Sequence, residues 1–412
     1  MNHILVATTL FAVLMGSLAI LTRYQRAEKI NQFESWTDKN GGIAKPKVLQ
    51  QMLYPSLSIR NLTISRIILE KFDSHIERII LPGMDHMSKS VLFADRKHHD
   101  RMKDLMMPFF KPSNIANMTE TIEQILGNFL EAWDEEILLK SGVAVRDVSQ
   151  DSESLILKLI GMLAFGINKG FDDLSLGVTM QTAWTNFNYQ KNPSMFIKFG
   201  YDKVFGHTKT IKASASGILS SSSNGNDNFL PLISYLKKGG SDISDEEIHQ
   251  NVMLLMFAAQ ETTRAVLEST LDYVSKMNES EAQSLAQRLG ESNMACSKFV
   301  MDMIYKFPPV NELQRKVIKD ISIDGYTIPA GTTLFLNIVD EFEAKSFSVG
   351  PRSCIGRKLA IKELEVIFKV LFTKYRFEKC EGVRNHGKSN YAKFIHVKGH
   401  EHSIVKVTNL IL

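Results

Sequence analysis

The cysteine at position 354 lies in the segment FSVGPRSCIG, residues 347–356, between two nearby glycines. Gly350 and Gly356 allow the backbone to turn sharply and to approach a flat ligand closely. An amphipathic helix is predicted directly after the loop, and the positive end of a helix lowers the pKa of a nearby thiol. The thiolate is the form that binds iron. A buried structural cysteine is the alternative at this point.

A second group of residues with chemical potential interrupts the apolar stretch NVMLLMFAAQETTRAVLESTL, residues 251–271. Its centre holds Gln260, Glu261, Thr262 and Thr263. Polar groups within a buried helix are unfavourable unless hydrogen bonding or function compensates for them. A capping role or a solvated helix face is the alternative explanation.

The pattern Phe347-x-x-Gly350-x-Arg352-x-Cys354-x-Gly356 resembles the haem-binding loop of the cytochrome P-450 superfamily. The resemblance implies haem b as the cofactor, with Cys354 as the axial thiolate ligand of the iron. It also implies that Phe347 packs beside the sulfur and that Arg352 pairs with a haem propionate. A thiolate ligand donates electron density to iron and favours cleavage of the O–O bond.

The segment AAQETT, residues 258–263, is similar to the acid-alcohol motif of the long helix over the haem in the same family. That resemblance makes Thr262 the residue that orients dioxygen and water, and Glu261 the acid that relays protons. It places Ala258 and Ala259 against the cofactor. Ala259 stands where the family often has glycine, which adds a methyl group beside the oxygen groove.

Two further segments resemble the family's contacts to the haem propionates. His99 and Lys103 match an aromatic-or-histidine and basic pair four residues apart, although without the family they are a charged helix face. Arg315 lies in PPVNELQRKVIKDISIDGYTIPAGT, residues 308–332, at the position of another propionate contact. Guanidinium and ammonium groups suit carboxylates, so these placements are chemically sensible.

The chain departs from the family pattern at two places. Where the family has a Glu-x-x-Arg pair six residues ahead of Pro308, this chain has Asp302-Met303-Ile304-Tyr305. Only 22 residues separate Gly331 from Cys354, and the family's longer connecting meander is missing. A divergent member, a shortened splice product and a gene model lacking exons all fit these departures. Loss of a buried ion pair costs roughly 3–5 kcal/mol, so we expect weaker haem retention.

Length and composition restrict the class of protein. The 412 residues are 44% hydrophobic and carry a net charge of +4, which allows a large core in one or two domains. Dense Lys/Arg tracts are missing from the sequence, so nucleic-acid binding is not expected. Its three cysteines, Cys296, Cys354 and Cys380, do not form a secreted disulfide framework, which favours a cytosol-facing body.

The N-terminus contains an uncharged, mostly apolar run from Ile4 to Leu21. Eighteen helical residues rise roughly 27 Å, enough to span the hydrocarbon layer. The basic residues that follow the run keep the rest of the chain cytosolic by the positive-inside rule. We therefore expect an anchor at residues 1–22 in the endoplasmic reticulum membrane, followed by a haem domain at residues 23–412. A cleaved signal peptide is the alternative.

Hydrophobic periodicity predicts a mainly α fold with a small β region, as the cytochrome P-450 resemblance also implies. Residues 100–300 are predicted to be mostly helical, with a surface loop at 214–227. The Asp324-Gly325 dipeptide predicts a β-hairpin turn.

The resemblance also implies partners. Residues 184–205 contain seven aromatic residues in the region of the family's substrate lid, which favours an apolar, lipid- or sterol-like substrate entering from the membrane, although ordinary helix packing fits equally well. A basic cluster near the cysteine matches the surface that docks an acidic, flavin-containing NADPH reductase, with cytochrome b5 as a further electron donor, although a solvated helix face would look the same. The cluster consists of Arg357, Lys358, Lys362, Lys374 and Arg376.

Together these features predict a membrane-anchored haem-thiolate monooxygenase that inserts one oxygen atom from O2 into an apolar substrate. One alternative is a haem-thiolate isomerase or dehydratase acting on a peroxide, and the retained Glu261-Thr262 pair argues against it. The other is a degenerate, non-catalytic relative that does not hold haem. Tyr305 and the missing meander argue for that alternative.

Overall fold

The computed structural model describes residues 20–25, 27–30, 55–80, 85–167, 207–222, 229–339, 346–380 and 404–410. Contacts between residues divide the chain into two compact units. The first comprises Met1–Ile79 and Glu312–Ser353. The second comprises Ile80–Asn311 and Cys354–Leu412.

A four-stranded sheet forms the centre of the first unit. Numbered along the whole chain, the elements of this unit are β1 (Ser56–Ile59), α1 (Leu62–Lys71), β2 (Ile76–Arg78), β4 (Glu312–Val317), β5 (Ile321–Ile323), β6 (Tyr326–Ile328) and β7 (Thr333–Asn337). The strand order is β1-β7-β4-β2, with β1 parallel to β7 and the other pairs antiparallel. Alternate residues of β1 and β7 are buried, because successive side chains of a strand point to opposite faces.

The hairpin predicted around Asp324-Gly325 is confirmed. β5 pairs antiparallel with β6, and the two turn residues have φ values of 50° and 82°. Two successive residues with positive φ form the turn type whose twist matches paired strands, and Asp-Gly is among its preferred sequences.

The second unit is mainly helical. Its elements are α2 (Arg96–Met106), α3 (Pro112–Leu139), β3 (Ala144–Asp147), α4 (Val148–Phe165), α5 (His207–Ser221), α6 (Leu232–Lys238), α7 (Asp245–Val274), α8 (Glu279–Glu291), α9 (Asn293–Lys306), α10 (Arg357–Lys374), β8 (Tyr375–Lys379) and β9 (Ile404–Asn409). The three strands form an antiparallel sheet in the order β3-β9-β8. The predicted class, mainly α with a small β region, is therefore confirmed.

Helix α7 is 30 residues long and starts at a capping box. The Ser244 side chain accepts a hydrogen bond from the Glu247 backbone N–H, and the Glu247 carboxylate accepts one from the Ser244 backbone N–H. This arrangement satisfies amide groups that would otherwise lack partners at the helix start. The helix packs against α4, α5 and α6, and most of its length is buried.

Helix α10 packs against α3, α8 and α9. Phe299 on α9 lies edge-on to Phe368 and Phe372 on α10, with ring centroids 5.8 and 5.9 Å apart. Trp133 on α3 lies 5.6 Å from the Tyr375 ring just after α10. These aromatic contacts make the helix that follows the cysteine loop a rigid part of the core.

One sequence-based expectation was wrong. Residues 214–221, predicted to belong to a surface loop, form the second half of α5. Ala215 and Ile218 are fully buried, and their three-residue spacing puts them on one helix face. The serine-rich composition obscured this short apolar stripe. Tertiary packing decides the structure of such a segment.

Two predicted segments lie mainly or wholly outside the described residues. The proposed anchor, residues 1–22, is described only from residue 20, and the proposed substrate lid, residues 184–205, is not described. Across the described ranges, no helix combines the length and apolar character needed to cross a membrane.

Candidate functional site

Cys354 lies three residues before the first residue of α10, as the sequence predicts. Its thiol is exposed. A methyl group added at Gly356 would lie 3.9 Å from the Cys354 Sγ and 3.9 Å from the Phe110 Cε1. The buried Phe110 ring therefore lies beside the cysteine loop. No local pattern predicts this contact, because Phe110 is 244 positions away from Cys354 along the chain.

Steric contacts within the first unit allow only glycine at position 350. Its φ is +78°, and a methyl group added there would overlap the Leu69 carbonyl oxygen at the end of α1. Such overlaps do not occur, so only glycine fits without moving the backbone. The Ser353 N–H donates to the Gly350 carbonyl at 3.1 Å and closes the turn. The close approach to α1 thus explains why glycine occupies position 350 of the cysteine loop.

Three arginines converge in the first unit. Arg315 on β4 is 2% exposed and is the register partner of Arg78 on β2. The Arg78 Nη2 also lies 3.5 Å from the Arg352 carbonyl oxygen. Sequence reasoning named Arg315 and Arg352 but missed Arg78. Only the pairing register of the three-residue strand β2 reveals it.

The environment of Arg315 favours an anion. Its Nη1 donates to the Gln314 carbonyl at 2.7 Å, whereas its buried Nη2 has no hydrogen-bond partner among the described residues. Burial lowers the pKa of the Arg315 guanidinium well below its ordinary value, and the charges of Arg78 and Arg352 lower it further. Asp73 opposes this shift with the smallest of these effects. A buried guanidinium in this setting requires a carboxylate or phosphate partner, and a haem propionate meets that requirement.

His99 and Lys103 lie four residues apart on α2 and therefore share one face. His99 is 5% exposed, with its Nδ1 2.8 Å from the Asp100 Oδ1, and Lys103 is half-buried. Arg101, which points to another side of the helix, donates to the Asp242 carbonyl and pairs with the Glu247 carboxylate. This pair fixes α2 to the start of α7.

Helix α7 has one partly open stripe in its buried middle. Between residues 251 and 271, every residue is buried except Leu255, Phe257, Ala258, Ala259 and Thr262. Four of these five recur at the spacing of a single helix face. The stripe is lined mainly by small side chains, so it leaves room for a flat group. The sequence-predicted cofactor contacts Ala258 and Ala259 lie on it.

Thr262 and Glu261, the two residues proposed to handle protons, lie in this middle part of α7. The Thr262 hydroxyl donates to the Ala258 carbonyl at 3.0 Å, four residues back. Glu261 is 6% exposed and lies on a different side of the helix. Beside it, the buried Gln260 Nε2 lacks a hydrogen-bond partner in the part of the chain that the structure describes. Thr262 is therefore the polar residue of this group that lies on the open stripe, whereas Gln260 and Glu261 are buried off it.

An ion-pair network holds α7 against α4 on the side away from Thr262. Arg264 donates to Glu268 at 2.6 Å, to Glu153 at 2.7 Å and to the Ser149 hydroxyl at 3.1 Å. Two residues along a helix correspond to a rotation of about 200°, so this anchor and the Thr262 side chain face nearly opposite ways. The network therefore fixes the rotation of α7 that presents Thr262 on the open stripe.

The segment that departs from the family pattern lies on α9. Asp302 and Tyr305 are exposed, Tyr305 to 38%. Within the described ranges neither residue forms an ion pair. The second unit thus contains no equivalent of the Glu-x-x-Arg pair at this position of α9.

The predicted site residues are distributed over both units. Arg315, Phe347, Gly350 and Arg352 belong to the first, whereas the residues on α2 and α7, together with Cys354 and Gly356, belong to the second. Phe347 is half-buried. Its predicted packing beside the sulfur stays a prediction.

One known protein family matches this chain. The family model described as "Cytochrome P450" matches residues 49–284 and 339–398, more than half of the chain. The unmatched stretch between them contains α9 with Asp302 and Tyr305. The first departure identified in the sequence, at Asp302 and Tyr305, therefore coincides with the gap in the family match.

Individual relatives are distant. The chain is 24% identical to cytochrome P450 3A16 of Mus musculus over 360 residues, covering 72% of this chain and 71% of the relative. It is 20% identical to abscisic acid 8'-hydroxylase 1 of Arabidopsis thaliana over 394 residues, covering 83% and 80%. A shorter match, 28% identical over 173 residues, is to probable cytochrome P450 4s3 of Drosophila melanogaster, covering 34% and 35%. The chain belongs to the cytochrome P450 family.

Proposed function

We propose that this protein is a haem-thiolate monooxygenase that inserts one oxygen atom from O2 into an apolar, lipid- or sterol-like substrate. The observation that carries the proposal is Arg315, a buried guanidinium whose Nη2 lacks a partner among the described residues. An apolar core alone would not call for such a group, whereas a dicarboxylate cofactor does. One of the relatives is named as a hydroxylase, which agrees with oxygen insertion.

Different residues of the chain would hold different parts of the cofactor. Cys354 would ligate the iron, and Arg315, Arg352, His99 and Lys103 would hold the propionates. Gly350, Gly356 and Phe347 would shape the loop, while Ala258 and Ala259 would line the site from the open stripe of α7. When bound, haem with a thiolate ligand supplies the electron-transfer and oxygen chemistry.

Glu261 and Thr262 would handle the protons. A hydroxyl that now donates to the Ala258 carbonyl can rotate to donate into the open stripe, where it would hold water or a bound gas molecule. Glu261, close in sequence and buried, would exchange protons with that hydroxyl through water. The network around Arg264 keeps both side chains in place while this occurs.

Electrons would come from a flavin-containing NADPH reductase, with cytochrome b5 as a second donor. Of the five basic residues predicted for its docking surface, Lys362 pairs with Glu365 and Lys374 pairs with Asp134. Arg376 donates to the Met277 carbonyl. Arg357 and Lys358 are exposed in the first turn of α10, and the docking surface would include both.

The proposed location is the endoplasmic reticulum membrane, with residues 1–22 as the anchor and the body in the cytosol. Three glycosylation sequons test this topology, at Asn61, Asn117 and Asn278. The Asn61 and Asn278 side chains each accept a backbone N–H bond at 3.0 Å as helix N-caps. We expect glycosidase treatment to leave the mobility of the protein unchanged, since a cytosolic body is not glycosylated. A downward shift would place the body in the lumen.

The rival proposal is a non-catalytic relative that does not hold haem, favoured by the exposed Tyr305 on α9. The experiment that separates the two is the reduced, carbon-monoxide-bound absorption spectrum of the full chain beside a Cys354→Ala control. A thiolate-type Soret band that is lost in the control would support the monooxygenase. Absence of haem from both proteins would favour the rival.

A different assay distinguishes the monooxygenase from an isomerase or dehydratase that acts on a peroxide. A monooxygenase consumes reductant in proportion to its substrate, whereas an isomerase needs none. Reductant consumption that does not respond to any apolar substrate, together with turnover of a hydroperoxide, would favour the isomerase.

A further inference from the structure

The short strand β2 places a third arginine at the anion site of the first unit. In its register with β4, Ile76 lies opposite Val317, Glu77 opposite Lys316 and Arg78 opposite Arg315. Directly opposed residues in a strand pair have their Cβ atoms about 5 Å apart. The guanidinium groups of Arg78 and Arg315 can therefore reach a common carboxylate.

This pairing brings two like charges together. Like charges directly opposite each other destabilise a strand pair, and burial of Arg315 strengthens the repulsion. The neighbouring pair, Glu77 with Lys316, is by contrast complementary. The charge pattern of β2 thus supports pairing at one position and opposes it at the next, where the buried arginine lies.

Arg78 is also connected to the cysteine loop. Its Nη2 lies 3.5 Å from the carbonyl oxygen of Arg352, a residue 274 positions later in the chain. Arg352 and Arg78 both act on the charge of Arg315, Arg78 more strongly. The three side chains therefore form one electrostatic group, and a ligand that binds Arg315 is within the field of all three.

We propose that Arg78 is a direct contact of a haem propionate, sharing that carboxylate with Arg315. This inference rests on the proposed function, since it needs haem to bind. It goes beyond the family resemblance, which pointed to Arg315 and Arg352 but not to β2. The group that Arg78 would recognise is a carboxylate carried by a flat, apolar ring.

The test compares haemin with haemin dimethyl ester, which keeps the iron and the ring but lacks the two carboxylates. Both are titrated into the full chain as wild type, as Arg78→Leu and as Arg66→Leu. Arg66 is the matched control, a half-exposed arginine on α1 in the same unit, which pairs with Glu70. The readouts are the dissociation constant of each porphyrin and the melting temperature of each haem-free protein.

We expect Arg78→Leu to raise the dissociation constant for haemin about tenfold or more, since a hydrogen bond to a charged group typically has that effect. The constant for the dimethyl ester should be the same in the variant and the wild type. The melting temperature of haem-free Arg78→Leu shows separately whether Arg78 also stabilises the fold. Arg66→Leu should change neither constant.

An equal loss of affinity for both porphyrins, or no loss for haemin, would overturn the inference. So would a lower melting temperature of the haem-free variant with unchanged haemin affinity, which would make Arg78 a purely structural residue. A wild-type protein that binds neither porphyrin would overturn the proposed function itself. The two failures are distinguishable, because only the second affects the wild type.

Discussion

Glu363 on α10 is a buried carboxyl group that should make the stability of this protein depend on pH. It is 6% exposed and makes no ion pair or hydrogen bond within the described ranges. Burial alone raises its pKa from 4.5 to about 8. The carboxyl group is therefore protonated and neutral in the folded protein at pH 7, whereas it is ionised in the unfolded chain.

The direction of the effect follows from proton binding. Above its unfolded pKa of 4.5 and below its folded pKa of about 8, the folded state holds a proton that the unfolded state has released. The stability of the folded state is therefore complete below pH 4.5, declines as the pH rises, and levels off above the folded pKa. One pKa unit corresponds to about 1.4 kcal/mol, so the full loss is roughly 5 kcal/mol.

Glu363→Gln removes this dependence, because the amide has a similar shape and does not ionise. For a single group with these pKa values, the loss is about 2 kcal/mol at pH 6 and about 4 to 5 kcal/mol at pH 8.5. The variant should therefore gain roughly 2 to 3 kcal/mol in free energy of unfolding, relative to wild type, between these two pH values.

The measurement is urea unfolding of both proteins at pH 6, 7 and 8.5, followed by circular dichroism. Glu131→Gln, at an exposed position of α3, is the control and should show no such trend. A difference between wild type and Glu363→Gln that does not change with pH would refute the reasoning. A variant that is less stable at high pH would show that Glu363 is ionised and has a cationic partner.

Two further substitutions test other parts of the structure. Gly350→Ala should lower the free energy of unfolding by at least about 1 kcal/mol and reduce haem content, because Gly350 has a positive φ and the added methyl group would overlap the Leu69 backbone. Gly356→Ala, whose methyl group meets only 3.9 Å contacts, is the control, and equal effects of both on stability would contradict the steric explanation. Arg264→Met should cost about 3–5 kcal/mol in denaturant unfolding, because Glu153 and Glu268 lose their shared cation. A loss below about 1 kcal/mol would mean that solvent already screens the network.

Local signals predicted much of the fold. The turn at Asp324-Gly325 and the helix after Cys354 are both encoded within a few neighbouring residues, so periodicity and turn rules find them. The motif around Cys354 likewise predicted the family, because its spacing is short and specific.

Features that depend on distant pairing were not predictable. The contact of Gly350 with α1 and the alignment of Arg78 with Arg315 arise from segments far apart in the sequence. The helix at residues 214–221 depends on packing of a two-residue apolar stripe. No local pattern distinguishes these cases from a loop glycine, a surface arginine or a flexible serine-rich segment.

The sequence distance between β2 and the cysteine loop has a consequence for biosynthesis. Arg78 and Arg352 are 274 positions apart, and the first unit contains both. At roughly 5–20 residues per second, a ribosome needs about 14–55 s to travel from one to the other. Throughout that interval β2 has no partner strand and α1 has no complete sheet beside it. The helices α2 to α9 can already fold as they emerge. The arginine group is thus completed only after residue 352 has been synthesised, so these arginines would bind a carboxylate only after the helices α2 to α9 have been made. A nascent chain stalled before residue 312 exposes an unfinished sheet to chaperones.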